Sequence, residues 1–168
     1  MEANKSATDI LKTAILLERR GKAFYTQVAR QSESKSAKRI FEMMAEEEEA
    51  HIEFLSAQYK NYEKNHSFLN VEDHHNVDDT VAVMILSEQI KKEISAASFE
   101  AAAISAAIDF ENKAIEIYSN RAAESTDENE KALYKMLADW EKGHHRLLHT
   151  LNEDLKEQIW NDNNFWPF

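Results

Sequence analysis

The chain has 168 residues, with 31 Asp and Glu against 20 Lys and Arg and a formal net charge of −11. That length supports one domain with a substantial core and is short for two, while the charge disfavours nucleic-acid phosphates and anionic membrane surfaces as partners. Two glycines, one proline and no cysteine leave little to build hairpins from, exclude disulfides and thiolate metal sites, and favour long helices over strands. The longest apolar run, Val81 to Leu86, is too short to span a bilayer. The polar start Met1-Glu2-Ala3-Asn4-Lys5 lacks the apolar stretch of a secretory signal. A cytoplasmic protein that binds neither nucleic acid nor membrane is expected.

Ser6 or Thr8 can cap a first helix over about 7–30, with Leu11, Ile15, Glu18, Gly21, Tyr25 and Val28 on its inward face at three- and four-residue steps. After a short polar connection, Ser34 or Ser36 can cap a second helix over about 35–62, through Ile40, Phe41, Met44, Glu48, His51 and Leu55. So short a loop makes the two antiparallel neighbours. Residues 63–98 read as a crossover that carries the chain back along the bundle, with a short additional helix from Thr80 to about Ile94. Ser98 is placed to cap a helix over about 99–123, whose stripe is Ile104, Ile108, Glu111, Ala114, Tyr118 and Ala122. Ser125-Thr126-Asp127-Glu128 reads as a turn with a capping box. A last helix over about 127–157 runs through Leu133, Leu137, Glu141, His144 and Leu148. The aromatic tail 158–168 suits covering a bundle end or a subunit contact. The expected fold is all-α, a four-helix bundle in one domain over 1–168, its helices of roughly 25 residues being about 37 Å long.

Glu48 and His51 interrupt an apolar stripe, three residues apart and so one turn apart on one helix face. Glu141 and His144 repeat that Glu-x-x-His after a shift of 93 positions. The same shift carries Glu18 to Glu111, Tyr25 to Tyr118, Met44 to Leu137 and Leu55 to Leu148. Helix geometry alone can repeat an apolar core, but not Glu and His inside it. Two helical hairpins packed face to face would gather Glu18, Glu48, His51, Glu111, Glu141 and His144 at the bundle centre. Without a metal, four packed acids there would carry strongly raised pKa values.

Four carboxylates and two imidazoles form an oxygen-rich donor set that suits iron or manganese, with zinc as a possible substitute. Two ions sharing two bridging glutamates, each with one further Glu and one His, would use every group and nearly balance the charge. Which glutamates bridge stays open. Tyr25 and Tyr118 are placed to bond ligand carboxylates across the bundle. Glu47, four residues before His51, could orient an imidazole, although its repeat counterpart is Trp140. Gly21 and Ala114 offer either space for a small oxidant or close helix packing. His145 and His149 read as outward-facing, and His74 and His75 as ordinary histidines of the polar crossover.

With these motifs the chain resembles the ferritin-like superfamily of di-iron carboxylate proteins, most closely its rubrerythrin-like branch, over about residues 7–157. The resemblance implies two iron ions held by Glu18, Glu48, His51, Glu111, Glu141 and His144, and an oxidoreductase acting on hydrogen peroxide or dioxygen. A homodimer is expected. Two departures matter. No cysteine is present for a rubredoxin-like centre, so an external electron-transfer protein would have to supply electrons. The extra glutamate that rubrerythrins carry one turn after the third-helix Glu is here Ala114, which leaves a six-ligand set also similar to the ferroxidase pair of bacterioferritins. Ferroxidase or iron-handling activity, or a helical module with a purely structural metal pair, are the competing readings.

Overall fold

The computed structural model describes residues 6–71 and 80–162, except the side chains of 80–83, 159, 161 and 162. Serines start three of the helices. Ser6 accepts from the Asp9 amide to open α1 (Ala7–Gln31), Ser34 accepts from Ala37 to open α2 (Lys35–Asn65), and Ser98 accepts from Ala101 to open α4 (Phe99–Glu124). Such caps satisfy amides that the first turn leaves without an intrahelical partner. The short α3 (Thr80–Glu93) lies in the crossover, and α5 (Glu128–Asp162) closes the bundle. Before α5, Asp127 Oδ1 accepts from the Glu130 amide, but the Glu130 carboxylate pairs with Arg121 rather than completing a capping box.

Two helices run on further than their sequence patterns suggest. α2 continues to Asn65 and α5 to Asp162, because neither stretch contains a glycine or proline to stop it. α2 ends when His66 adopts the left-handed conformation at φ 52° and its amide bonds to Tyr62 O. The buried Gln58 then holds the start of the crossover by two bonds to the Leu69 backbone.

α1 packs along α2 and α4 along α5, forming two helical hairpins, and α3 packs on α2 and α5. The α1–α2 turn lies against the end of α3 and the start of α4. Glu93 accepts from Ser34 Oγ, Ser36 N and Ser36 Oγ, and Glu100 Oε1 accepts from the Glu33 and Ser34 amides. The chain has therefore returned from the far end of α2 to its beginning, as a crossover requires. The architecture is the all-α four-helix bundle that the composition and periodicity predict, with an extra crossover helix, and it is the ferritin-like arrangement that the resemblance implies.

The buried stripes follow the predicted residues closely. Ile40, Phe41, Met44 and Leu55 on α2, and Leu133, Leu137 and Leu148 on α5, are almost fully buried. On α1 the core position falls to Ala14, leaving Ile15 half-buried. The apolar interior forms two clusters. One gathers Phe41, Met44, Ile104, Leu148 and Leu151, the other Leu11, Leu55, Leu133, Tyr134 and Leu137. Among the described residues no helix is long and apolar enough to cross a membrane. His74 and His75 and the tail beyond residue 162 lie outside the described residues; Trp160, at the start of the predicted tail, is exposed.

Candidate metal centre

Between the two apolar clusters lies a polar centre. Glu18 on α1, Glu48 and His51 on α2, Glu111 on α4, and Glu141 and His144 on α5 all converge there, each at most 6% exposed. All six predicted residues are brought together. Their nitrogen and carboxylate atoms form two groups, each within 4.8 Å: Glu18, Glu48, His51 and Glu141, and Glu48, Glu111, Glu141 and His144. Glu48 and Glu141 belong to both. The two motif glutamates therefore occupy the positions common to both groups, and Glu18 and Glu111 the outer ones.

Both imidazoles turn Nδ1 to the centre. His51 Nδ1 lies 3.0 Å from Glu18, 3.2 Å from Glu141 and 3.5 Å from Glu48. His144 Nδ1 lies 3.3 Å from Glu141, 3.5 Å from Glu111 and 3.7 Å from Glu48. The outer glutamates are tied across the hairpins, Tyr25 donating to Glu111 and Tyr118 to Glu18. This is the role the matched spacing gives the tyrosines.

Crowding four carboxylates and two imidazoles into a buried space shifts their protonation. Burial, reinforced by the Glu141 carboxylate, pushes Glu48 well above the usual range. Burial likewise raises Glu111 to about 7. Burial opposes charge on Glu141 too, but the neighbouring His144 and His51 imidazoles hold it well below. Burial opposes protonation of His51 and His144, yet their carboxylate neighbours win and raise both. Tyr25 and Tyr118 rise through burial and the facing carboxylates, so both keep their protons and donate.

Five of the six buried side-chain polar atoms without a hydrogen-bond partner among the described residues belong here: Glu48 Oε1 and Oε2, Glu111 Oε2, Glu141 Oε1 and His144 Nδ1. Orphaned atoms of this kind are costly in a core. Here every one is a lone-pair donor suited to a hard or borderline cation. The residues present fit a pair of metal ions.

Gly21 lines the centre by packing. A Cβ there would lie 3.0 Å from Phe110 Cε1 and 3.1 Å from Glu48 Cδ, so the room offered by its missing side chain is already taken. Glu47 bonds to His144 on α5, its Oε2 2.5 Å from Nε2, rather than to His51 four residues along its own helix. Its counterpart Trp140 lies over His51, with ring centroids 4.5 Å apart and planes at 11°. Sequence reasoning treated Trp140 only as a failure of the repeat. The signal was its position, 93 residues after Glu47 and beside a shared glutamate. The outward histidines form a stacked pair, His145 half-buried and His149 exposed.

A four-helix bundle carrying two Glu-x-x-His motifs and two further glutamates at its centre has the arrangement of the ferritin-like class, and its buried Glu and His cluster suggests a di-metal site. The chain matches the rubrerythrin family over residues 9–152 and belongs to it. A solved chain described as a hypothetical protein from Pyrococcus furiosus is similar in fold, with a TM-score of 0.60 and 22% identity over 93% of this chain and 94% of that one. No curated protein matches.

Proposed function

We propose that the protein is an oxidoreductase that uses a pair of iron ions, or of manganese ions, to reduce hydrogen peroxide or dioxygen. Electrons would come from a separate electron-transfer protein, and the working form would be a homodimer. The observation that carries this reading is the pair of four-residue groups sharing Glu48 and Glu141. Glu18 and His51 would complete one ion's ligands, Glu111 and His144 the other's. A ferrous pair held by these residues would supply the two electrons that, with two protons, the reduction of peroxide to two waters requires.

The chain's own residues do the rest. Tyr118 and Tyr25 hold the outer carboxylates by donated hydrogen bonds, leaving their remaining lone pairs free for metal. The apolar clusters on either side limit water, which strengthens the electrostatic interactions within the centre. The missing seventh carboxylate supports a second reading. Ala114 is buried and Gly21 is filled by its neighbours, so the set stays symmetric, as suits oxidation of ferrous iron for storage or detoxification.

Protein loaded with two ferrous ions per chain without oxygen, then mixed rapidly with peroxide or dioxygen, tests both readings. Oxidation faster than that of free iron, with re-reduction by an added donor system, is expected for the oxidoreductase. Rapid oxidation accompanied by a mineral core and a large closed shell in light scattering would favour iron handling. Bound but unreactive iron would leave only a structural metal pair.

A further inference from the structure

The internal repeat breaks at Glu47 and Trp140, a pair of positions beside the centre. Glu47 and Trp140 each precede a shared glutamate and each cover the outer side of the imidazole on the opposite motif helix. Glu47, its side chain 42% exposed, meets Nε2 of His144. Trp140 stacks on the face of His51 and is packed edge-on by Phe54, at 5.9 Å and 71°. Among the described residues, no carboxylate lies within 4.0 Å of His51 Nε2. Each imidazole faces three carboxylates with Nδ1; the outer contacts differ in kind, a carboxylate on His144 and an indole on His51.

A carboxylate on the outer nitrogen fixes a ligand ring and raises the donor strength of its inner nitrogen. The bond is charge-assisted and therefore strong for its kind. A stacked indole holds the ring plane and favours a ring that has become electron-poor, but brings no charge of its own.

We propose that Glu47 and Trp140 make the two ion positions unequal. The position formed with Glu111 and His144 fills first and binds a divalent cation more tightly. The position formed with Glu18 and His51 fills second, beneath Trp140. The inference rests on the di-metal reading. Glu47 acts as a positioning residue, through His144.

Cobalt(II) titration of the metal-free protein tests it, with visible absorption reporting ligation and tryptophan emission reporting proximity to an indole. The wild type should take up two equivalents in two resolved steps, most of the quenching accompanying the second. E47A should weaken the first step by about 10- to 100-fold and leave the second within experimental error, and E47Q should recover part of that loss. W140F should remove most of the quenching while preserving the first step's affinity. Helix content by circular dichroism is checked for each variant. Two equal steps in the wild type, an E47A and E47Q effect that falls equally on both steps, or quenching that survives W140F overturns the proposal. A wild-type protein that takes up no cobalt overturns the di-metal reading itself, so the two failures are distinguishable.

Discussion

Glu48 and Glu141, unlike Glu18 and Glu111, belong to both four-residue groups, and that difference predicts stoichiometry. E48A or E141A should abolish tight binding of both ions, whereas E18A or E111A should leave one, as measured by metal analysis after desalting. Two ions retained by E48A would contradict shared ligation. At Gly21 two effects compete. Alanine is favoured over glycine in a helix by about 1 kcal/mol, but its Cβ would crowd Phe110 and the Glu48 carboxyl, and overpacking costs about 1–3 kcal/mol. G21A should therefore lower the melting temperature and weaken metal uptake together, because the side chain that must give way is a shared ligand. The six converging residues were legible because Glu and His within an apolar stripe have no explanation in helix geometry. The shared pair was not, since sharing depends on how close the two hairpins lie. Trp140 was legible only as a break in the repeat, because nothing in the sequence shows that an indole on α5 lies over His51 on α2.

The helices show where local signals end and tertiary ones begin. The serines at 6, 34 and 98 could be read as caps because their effect is confined to the next turn. The carboxylates that hold the α1–α2 turn could not, because Glu93 and Glu100 arrive from elements about sixty residues later in the chain. The extra turns of α2 and α5 were equally hidden: no residue commands the helix to stop, and His66 accepts a left-handed conformation that its residue type does not announce. Glu100 is buried, and its Oε1 serves two backbone amides. E100A should cost about 1–3 kcal/mol by leaving those donors without their partner, seen as a lower urea midpoint. Because the site lies elsewhere along the bundle, metal stoichiometry should stay at the wild-type value; its loss would mean that the turn and the centre are coupled.

Across the whole molecule, the metal-free centre links stability to pH. Glu111 titrates near 7 in the fold against a reference of 4.5, and Glu48 is raised in the same direction. The unfolded chain therefore gives up protons that the fold retains, and stability falls as pH rises from about 4.5 through 7. His51 and His144, raised above their reference of 6.5, contribute stability below that value and lose it as pH climbs through their folded values. Glu141, held low, acts oppositely, and its contribution is lost only at the acid end. Metal uptake displaces protons and grows stronger with pH, and it stabilises the fold to which it binds. The melting temperature of the metal-free protein should thus fall between about pH 5 and pH 8, and its gap to the loaded protein should widen. Calorimetry of both forms checks this, and a metal-free protein that gains stability over that range would contradict it. The crossed tyrosines carry one more consequence. Tyr25 of the first hairpin grips Glu111 of the second, while Tyr118 grips Glu18 in return, so neither half can slide lengthwise without unfastening both clasps. The reciprocal grip of phenol on acid thus helps to hold the two halves in step, beside the Glu47–His144 contact that also joins them.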